Sequence, residues 1–359
     1  MSKNKNNGKH TDAAQAVFAQ AAPKQKVLVA LFKTLGDVLM GTTVVRAIKE
    51  RTPDCEIDFV TQAQNKNILE GNPDINKIII ADNYYDASLI YLDGGYDVFY
   101  RLGMANYLDT CWHHIEEHKY QHLVEWYAKR AGIKELNDKN IYITLTPNDI
   151  ADVDDYWNDI PQDKKYIAIH TTSGVHPGVG PIASKDWPIN RFEFVAQQLI
   201  NAGFGVIQVG AFSDKKIKVP GVIDFTGKVS FKQTAEVIRR CIAYIGVDSG
   251  PAYLAGWSGV PTFLIMGSTQ NTCDHSGPSV GPRNDNVFYI NSKKPNHTMC
   301  SPTPCYNKCQ IGKQIGCIED VAPAVVLGAF QQIVMTKTPP QDVSSTEAPS
   351  QAPSLVEAK

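Results

Sequence analysis

The stretch that decides the fold runs from Ala243 to Gly267, AYIGVDSGPAYLAGWSGVPTFLIMG. Ala243–Val247 is an apolar run of the kind a buried strand needs, and it ends in Asp248-Ser249-Gly250. An apolar helix-like segment follows, then Gly259, Pro261 and a second apolar run. The order reads as strand, tight turn, helix, strand. A short side-chain oxygen on Asp248 or Ser249 can accept a first-turn N–H and cap the helix. Gly250 lets another group come close to the backbone. Pro251 falls in the first turn, where its missing N–H costs little. The unpaired N–H groups of such a turn sit at the positive end of a helix dipole and suit a phosphate or carboxylate. From this stretch alone two readings stay open, an anion site and a plain capped core helix.

The chain around it has 359 residues and a formal net charge of −2. At roughly 100–200 residues per domain, that length supports two domains, each with its own core. The balanced charge argues against a large nucleic-acid footprint. No run approaches the ~18 apolar residues of a membrane span. The polar start, MSKNKNNGKHTDAAQAVFAQAAPKQ, lacks the apolar segment of a secretory signal. The expectation is a soluble, cytoplasmic protein. Residues 1–24 and 336–359 read as disordered tails, too polar to bury a core.

Between the tails, apolar runs alternate with helical patterns. Strands are expected at Lys26–Phe32, Glu56–Thr61, Lys77–Ala81, Asp97–Tyr100 and Ile141–Leu145. Helices are expected at Asp37–Arg51 and Asn65–Glu70, and within the amphipathic stretch from about Asp109 to Ala131. Residues 25–150 form this first α/β unit, and the acidic, proline-edged stretch 151–164 is the expected linker. The pattern restarts over 165–335. Strands fall at Tyr166–Thr171, Gly205–Gly210, Gly221–Phe225 and Asn286–Ile290, and helices at Arg191–Ala202 and Phe231–Cys241. Strands alternating with helices imply parallel sheets built from βαβ units. Ligands of such folds sit beyond the carboxyl ends of the strands.

Several residues at those ends could carry chemistry. Lys33-Thr34-Leu35-Gly36-Asp37 leads from the first strand into a helix, so Asp37 is either an N-cap or a base facing the cleft. In the second unit the first strand ends in His170-Thr171-Thr172-Ser173. A Gly/Pro-rich loop leads on to Ser184-Lys185-Asp186-Trp187-Pro188. Those hydroxyls and Lys185 could meet an anion held at 248–250, and a lysine, as a mobile point charge, suits a diphosphate. The alternative for Lys185 is a solvated side chain before a structural helix start. Thr226-Gly227-Lys228 forms a further loop on that edge. Lys33 and Arg101 are the candidate ligand-binding cations on the corresponding edge of the first unit.

Two other patterns carry metal readings. His114-Ile115-Glu116-Glu117-His118 fits a zinc-peptidase spacing, yet no third ligand is evident, and a solvated helix face is the expectation. Four of the cysteines, Cys300, Cys305, Cys309 and Cys317, crowd one segment, CSPTPCYNKCQIGKQIGC. A structural zinc site and reduced thiols packing a loop both fit this spacing. A single glycine near Asp37 is no dinucleotide fingerprint. No serine-hydrolase elbow or P-loop occurs.

Five segments in order resemble glycosyltransferase family 9, the ADP-heptose:lipopolysaccharide heptosyltransferases. They are LFKTLGDVLMGTTVVRAIKERTPDCEIDFVT, SKDWPINRFEFVAQQLINAGFGVIQVG, VIDFTGKVSFKQTAEVIRRC, YIGVDSGPAYLAGWSGVPTFLIMG and the cysteine segment, which is similar to the tail of the heptosyltransferase II branch. The resemblance spans about residues 26–335. It implies a GT-B fold, two Rossmann-like parallel-sheet domains facing across a cleft, with the last helix often crossing back to the first. It implies inverting transfer of a sugar, heptose from ADP-heptose, to a lipopolysaccharide-core hydroxyl, with no catalytic metal or other cofactor. By resemblance Asp37 is the general base, Lys185 meets the donor phosphates, and Asp248, Ser249 and Gly250 form the donor-binding turn. Thr171 and Thr172 fall in the phosphate-side loop, and Thr226 and Gly227 lie near the nucleotide base. A lipid-linked acceptor further implies peripheral contact with the inner face of the inner membrane.

Three positions depart from the family pattern. Tyr253 stands where a histidine is common, Gly174–Ala183 is long and glycine-rich, and Ser268 replaces a proline. These departures bear on the donor sugar. They keep open a family-9-like transferase using another nucleotide sugar with a glycan or modified-nucleobase acceptor. Beyond the class lie a nucleotide-sugar epimerase and a non-catalytic nucleotide-sugar-binding protein.

Overall fold

The computed structural model describes residues 24–103, 122–176, 180–181, 183–267, 281–291 and 317–335. The first unit contains β1 (Lys26–Ala30), α1 (Leu35–Arg51), β2 (Glu56–Thr61), α2 (Lys66–Leu69), β3 (Lys77–Ile80), α3 (Tyr84–Asp93) and β4 (Val98–Arg101). The helices α4 (Leu123–Arg130) and α5 (Pro147–Trp157) follow. The second begins with β5 (Tyr166–His170) and a short antiparallel ribbon, β6 (Val175–His176) with β7 (Gly180–Pro181). It continues with α6 (Ile189–Asn201), β8 (Gly205–Gln208), β9 (Val222–Asp224), α7 (Phe231–Arg239) and β10 (Ala243–Val247). It ends with α8 (Gly250–Ser258), β11 (Thr262–Ile265), β12 (Val287–Ile290) and α9 (Pro323–Phe330).

Both main sheets are parallel. The first has the order β3-β2-β1-β4 and the second β12-β11-β10-β5-β8-β9. The strands nearest each centre are apolar runs with no polar alternation, because helices cover both faces. Val27–Ala30 of β1 and the whole of β5 and β10 are buried accordingly. Counted within its own unit, each sheet follows the doubly wound order, reversing direction between β1 and β4 and between β5 and β10. A crevice opens at the carboxyl end of such a switch point. It is where Lys33–Asp37 and Arg101 lie in one unit, and His170–Ser173 and Asp248–Gly250 in the other.

Two local expectations are corrected, and one helix is added. Ile141–Leu145 is not a strand. Its backbone instead meets side chains of α1 and the α2 loop: Tyr142 N–H donates to Thr42 Oγ1 at 2.8 Å and Asn72 Nδ2 donates to Tyr142 O at 3.2 Å. The stretch expected as a linker from residue 151 begins inside α5. Thr146 and Asp149 form a capping box there, Pro147 takes the first helical position, and Val153 is buried. Helix α3 was not expected, because YYDASLIYLD is apolar almost all round; Asn83 caps it by accepting from the N–H groups of Tyr85 and Asp86.

One apolar cluster runs through both units, joining Val29, Val38 and Met40 to Ala252, Tyr253 and Leu254. Away from it, Lys232 of α7 reaches into the first unit. Its buried ammonium lies 3.0 Å from Asp149 Oδ2 and donates to Glu70 O at 3.1 Å. Burial works to raise the Asp149 pKa, but hydrogen bonds from Thr146 and the Lys232 ammonium outweigh it and hold it below the ordinary value. Helix α9 packs within the second unit. Its apolar face packs on α6 and β11, with the Phe330 ring 6.0 Å from that of Phe263.

Candidate active site

Asp37 is the third residue of α1 and Thr34 is the N-cap, so Asp37 is not itself the cap. Asp37 Oδ2 accepts from Thr34 N–H at 3.2 Å and from the Thr34 hydroxyl at 2.6 Å, as the acidic partner of a capping box. Asp37 Oδ1 accepts from the hydroxyl of Tyr127, on α4, at 2.6 Å. Tyr127 is buried, so this phenol holds the carboxylate in one orientation. Lys33 and Arg101 lie at the same carboxyl edge, at the ends of β1 and β4; the Arg101 guanidinium sits over the Tyr84 ring at 5.0 Å.

Across the molecule, Lys185 and Asp248 form a buried ion pair, Nζ to Oδ2 2.8 Å. Lys185 is therefore no solvated side chain. It reaches this place because Gly267, at the end of β11, lets the backbone of Ser184 pass where any Cβ would collide with it. Gly250 has a packing reason of its own: a Cβ there would lie 2.9 Å from the Phe231 ring and 3.9 Å from Leu35 Cβ of α1.

The hydroxyls of the β5 loop divide. Thr171 Oγ1 donates to Lys215 O at 2.7 Å, and Thr172 Oγ1 accepts from Lys215 N–H at 3.3 Å. Both threonines thus fasten the 211–217 loop. Ser173 does not: its N–H donates to Asp186 Oδ1 at 2.7 Å, while its buried Oγ has no hydrogen-bond partner among the described residues. An orphan buried hydroxyl is costly unless something fills the place. Thr226 gives its N–H and hydroxyl to Asp224 Oδ1, and Gly227, at φ +70°, donates its N–H to Gly210 O at 2.9 Å. These two residues shape the loop after β9 beside Phe212, which is exposed.

A chain of buried polar groups that the sequence did not show crosses the β5–β10 switch point. Ser249 Oγ lies 3.0 Å from His170 Nδ1, and His170 Nε2 lies 3.1 Å from Asp214 Oδ2. Asp214 Oδ2 also accepts from Ala211 N–H at 2.7 Å. Gly210, at φ +135°, leaves the space that the imidazole and carboxylate occupy. The one available signal was His170 closing an otherwise apolar strand.

The two edges meet at the first turns of α1 and α8. A Cβ on Gly36 would fall 3.2 Å from Tyr253 Cε2. Tyr253 Oη accepts from Gly281 N–H at 2.8 Å and lies 3.6 Å from Met40 Sδ of α1. Burial, with Asp248 nearby, keeps this phenol well above its ordinary pKa and so protonated. Gly281 is held from its other side as well, its carbonyl 2.8 Å from His122 Nε2. His122 caps α4, its Nδ1 accepting from Val124 N–H at 3.2 Å. Burial, reinforced by Arg283, pushes the His122 pKa down to about 3, so the ring is neutral and Nε2 carries the proton.

Cys300, Cys305, Cys309, Ser268 and the 114–118 histidines lie outside the described residues; Cys317 is buried. Among the described residues no three His, Cys, Asp or Glu side chains group to hold a metal ion, and no helix is long and apolar enough to cross a membrane.

The family model described as glycosyltransferase family 9 (heptosyltransferase) matches residues 92–308, well over half of the chain. The chain belongs to glycosyltransferase family 9. It is accordingly a glycosyltransferase, and the matched segment holds Lys185, His170 and Asp248, whereas Asp37 precedes it. Lipopolysaccharide heptosyltransferase 3 of Escherichia coli K12 is 20% identical over 277 residues, covering 66% of this chain and 80% of that one. A family 9 glycosyltransferase from Veillonella parvula superposes with a TM-score of 0.68 at 17% identity, over 87% of this chain and 97% of its own. The E. coli ADP-heptose LPS heptosyltransferase II gives 0.61 at 15% identity, over 87% and 99%. The fold is GT-B, two parallel-sheet α/β domains, as the order of motifs implied.

Proposed function

We propose that the protein transfers a heptose from ADP-heptose to a hydroxyl of a lipopolysaccharide-core acceptor, with inversion and without a catalytic metal. The reading rests most on one observation. The turn bearing Asp37 and the turn following Asp248 are brought together where Gly36 faces Tyr253, 3.2 Å from its ring to a Cβ built on the glycine. A base and an anion site on opposed domains are what such a transfer needs. Asp37 takes the proton of the acceptor hydroxyl, and the oxygen attacks the anomeric carbon. The bond from that carbon to the diphosphate oxygen breaks, and its electron pair leaves with ADP. Lys185 and the amides opening α8 stabilise the charge that develops there, and the Ser173 hydroxyl takes a phosphate oxygen. Thr171, Thr172, Thr226 and Gly227 act by shaping the loops around the nucleotide. In this reading the protein works in the cytoplasm, at the inner face of the inner membrane, with Lys33 and Arg101 on the acceptor side and the 300–317 cysteines around a structural zinc.

The test is a panel of ADP-, UDP-, GDP- and CDP-sugars, scored for thermal stabilisation and for transfer to isolated core oligosaccharide. ADP-heptose should give the largest shift and support transfer. A larger effect of another nucleotide sugar would favour a second reading, a different donor and acceptor. Tyr253 motivates that reading, because a buried phenol fills the place of a family histidine and cannot donate charge to the sugar.

A further inference from the structure

Ser249 occupies the N-cap of α8, yet its side chain makes no capping hydrogen bond to the helix. Serine at this position ordinarily turns its oxygen over the helix end to accept a first-turn N–H. Here the oxygen is drawn the other way, 3.0 Å from His170 Nδ1 and 3.1 Å from Val247 O. The pull has a chemical cause. The Asp214 carboxylate can only accept, so His170 Nε2 carries the proton 3.1 Å from it, and Nδ1 and Val247 O both face the single proton of the Ser249 hydroxyl. All three residues are buried, so water does not compete for these bonds. Pro251 already removes one donor from the first turn of α8. A serine cap would take another and would place its oxygen where an incoming anion must sit.

We infer that His170, held by Asp214, is a positioning residue that withdraws Ser249 from the end of α8 and so keeps the helix start open for the donor diphosphate. The inference rests on the donor-site reading given above. It differs from a scaffold role for His170 in one respect: the harm of losing His170 should flow through the Ser249 hydroxyl. Without the imidazole, Ser249 swings onto the helix end and competes with phosphate. Removing that hydroxyl as well should then restore binding.

The experiment titrates ADP calorimetrically into wild type, His170→Ala and His170→Ala/Ser249→Ala, with His170→Asn and its double variant as a second pair should alanine unfold the domain; thermal melts establish folding in each case. His170→Ala should weaken ADP binding about 5- to 10-fold, the equivalent of one N-cap interaction. The double variant should bind ADP several-fold more tightly than the single one. A double variant no tighter than the single one, with wild type binding normally, would overturn the role given to His170 and leave the donor site standing. Wild-type protein that binds none of ADP, UDP, GDP and CDP would overturn both.

Discussion

Lys185 and Asp248 meet as a buried pair, Nζ to Oδ2 2.8 Å, although one precedes α6 and the other follows β10. Neither charge has bulk water to fall back on. Replacing Lys185 by methionine or Asp248 by alanine should each cost about 3–5 kcal/mol of folding stability, because each strands a buried partner. The double replacement should cost less than the sum. Urea denaturation of the two single variants and the double variant measures this, and additive losses would count against the pairing. In a folded Lys185→Ala sample, ADP affinity should also fall, by about 1.5–3 kcal/mol for a lost charged hydrogen bond.

Asp37 and Tyr127 separate chemistry from binding. Asp37→Ala should remove transfer while ADP binding stays near that of wild type. Tyr127→Phe should keep donor affinity and lower kcat by roughly tenfold, about 1.4 kcal/mol, through a less well-held carboxylate. Steady-state kinetics with both substrates varied tests the pair. Full activity in Asp37→Ala would remove it as the base, and a change confined to the donor KM in Tyr127→Phe would place that phenol elsewhere in the cycle.

His122 should make the protein acid-sensitive. In the unfolded chain its imidazole takes a proton near pH 6.5, while in the folded protein it does so only near 3. Between those values the unfolded state binds the extra proton. The contribution of this group is whole above about pH 6.5 and is lost as pH falls, by about 1.4 kcal/mol per pH unit, until the folded pKa is reached. His122→Gln should flatten the difference in stability between pH 6 and pH 4 relative to wild type. Equal slopes in chemical denaturation across that range would contradict the assignment.

The cysteine segment is tested by composition. Protein purified under reducing conditions without chelator should carry close to one zinc per chain by elemental analysis, and Cys305→Ser and Cys309→Ser should lose it. Metal-free wild-type protein would leave thiols that pack a loop.

How far the sequence reveals this arrangement depends on the range of each interaction. The apolar runs of β1, β5 and β10 are legible because full burial leaves no polar alternation, and the Asp248–Gly250 turn because punctuation is local. Helix α5 carries a readable cap at Thr146-Pro147-Asn148-Asp149, but its acidic composition masks the buried Val153. Ile141–Leu145 has the composition of a strand and is satisfied instead by side chains from α1, something no window on the segment itself contains. The same limit hides the site's supports. Tyr127 finds Asp37 from 90 residues away, and His170 and Asp214 are 44 apart. Thr171 and Thr172 have the residue type for phosphate, but both hydroxyls are tied to the backbone of Lys215, one donating and one accepting, and only the folded structure distinguishes them from Ser173.

The Lys232 ammonium has a mechanical consequence. It is tied at once to the end of α2 and to α5, and drawing it away from both would strand two buried charges. Translation of one sheet away from the other at that point is therefore disfavoured by several kcal/mol. Swivelling keeps the lysine paired, so the ammonium leaves the two sheets free to rotate about it but not to draw apart.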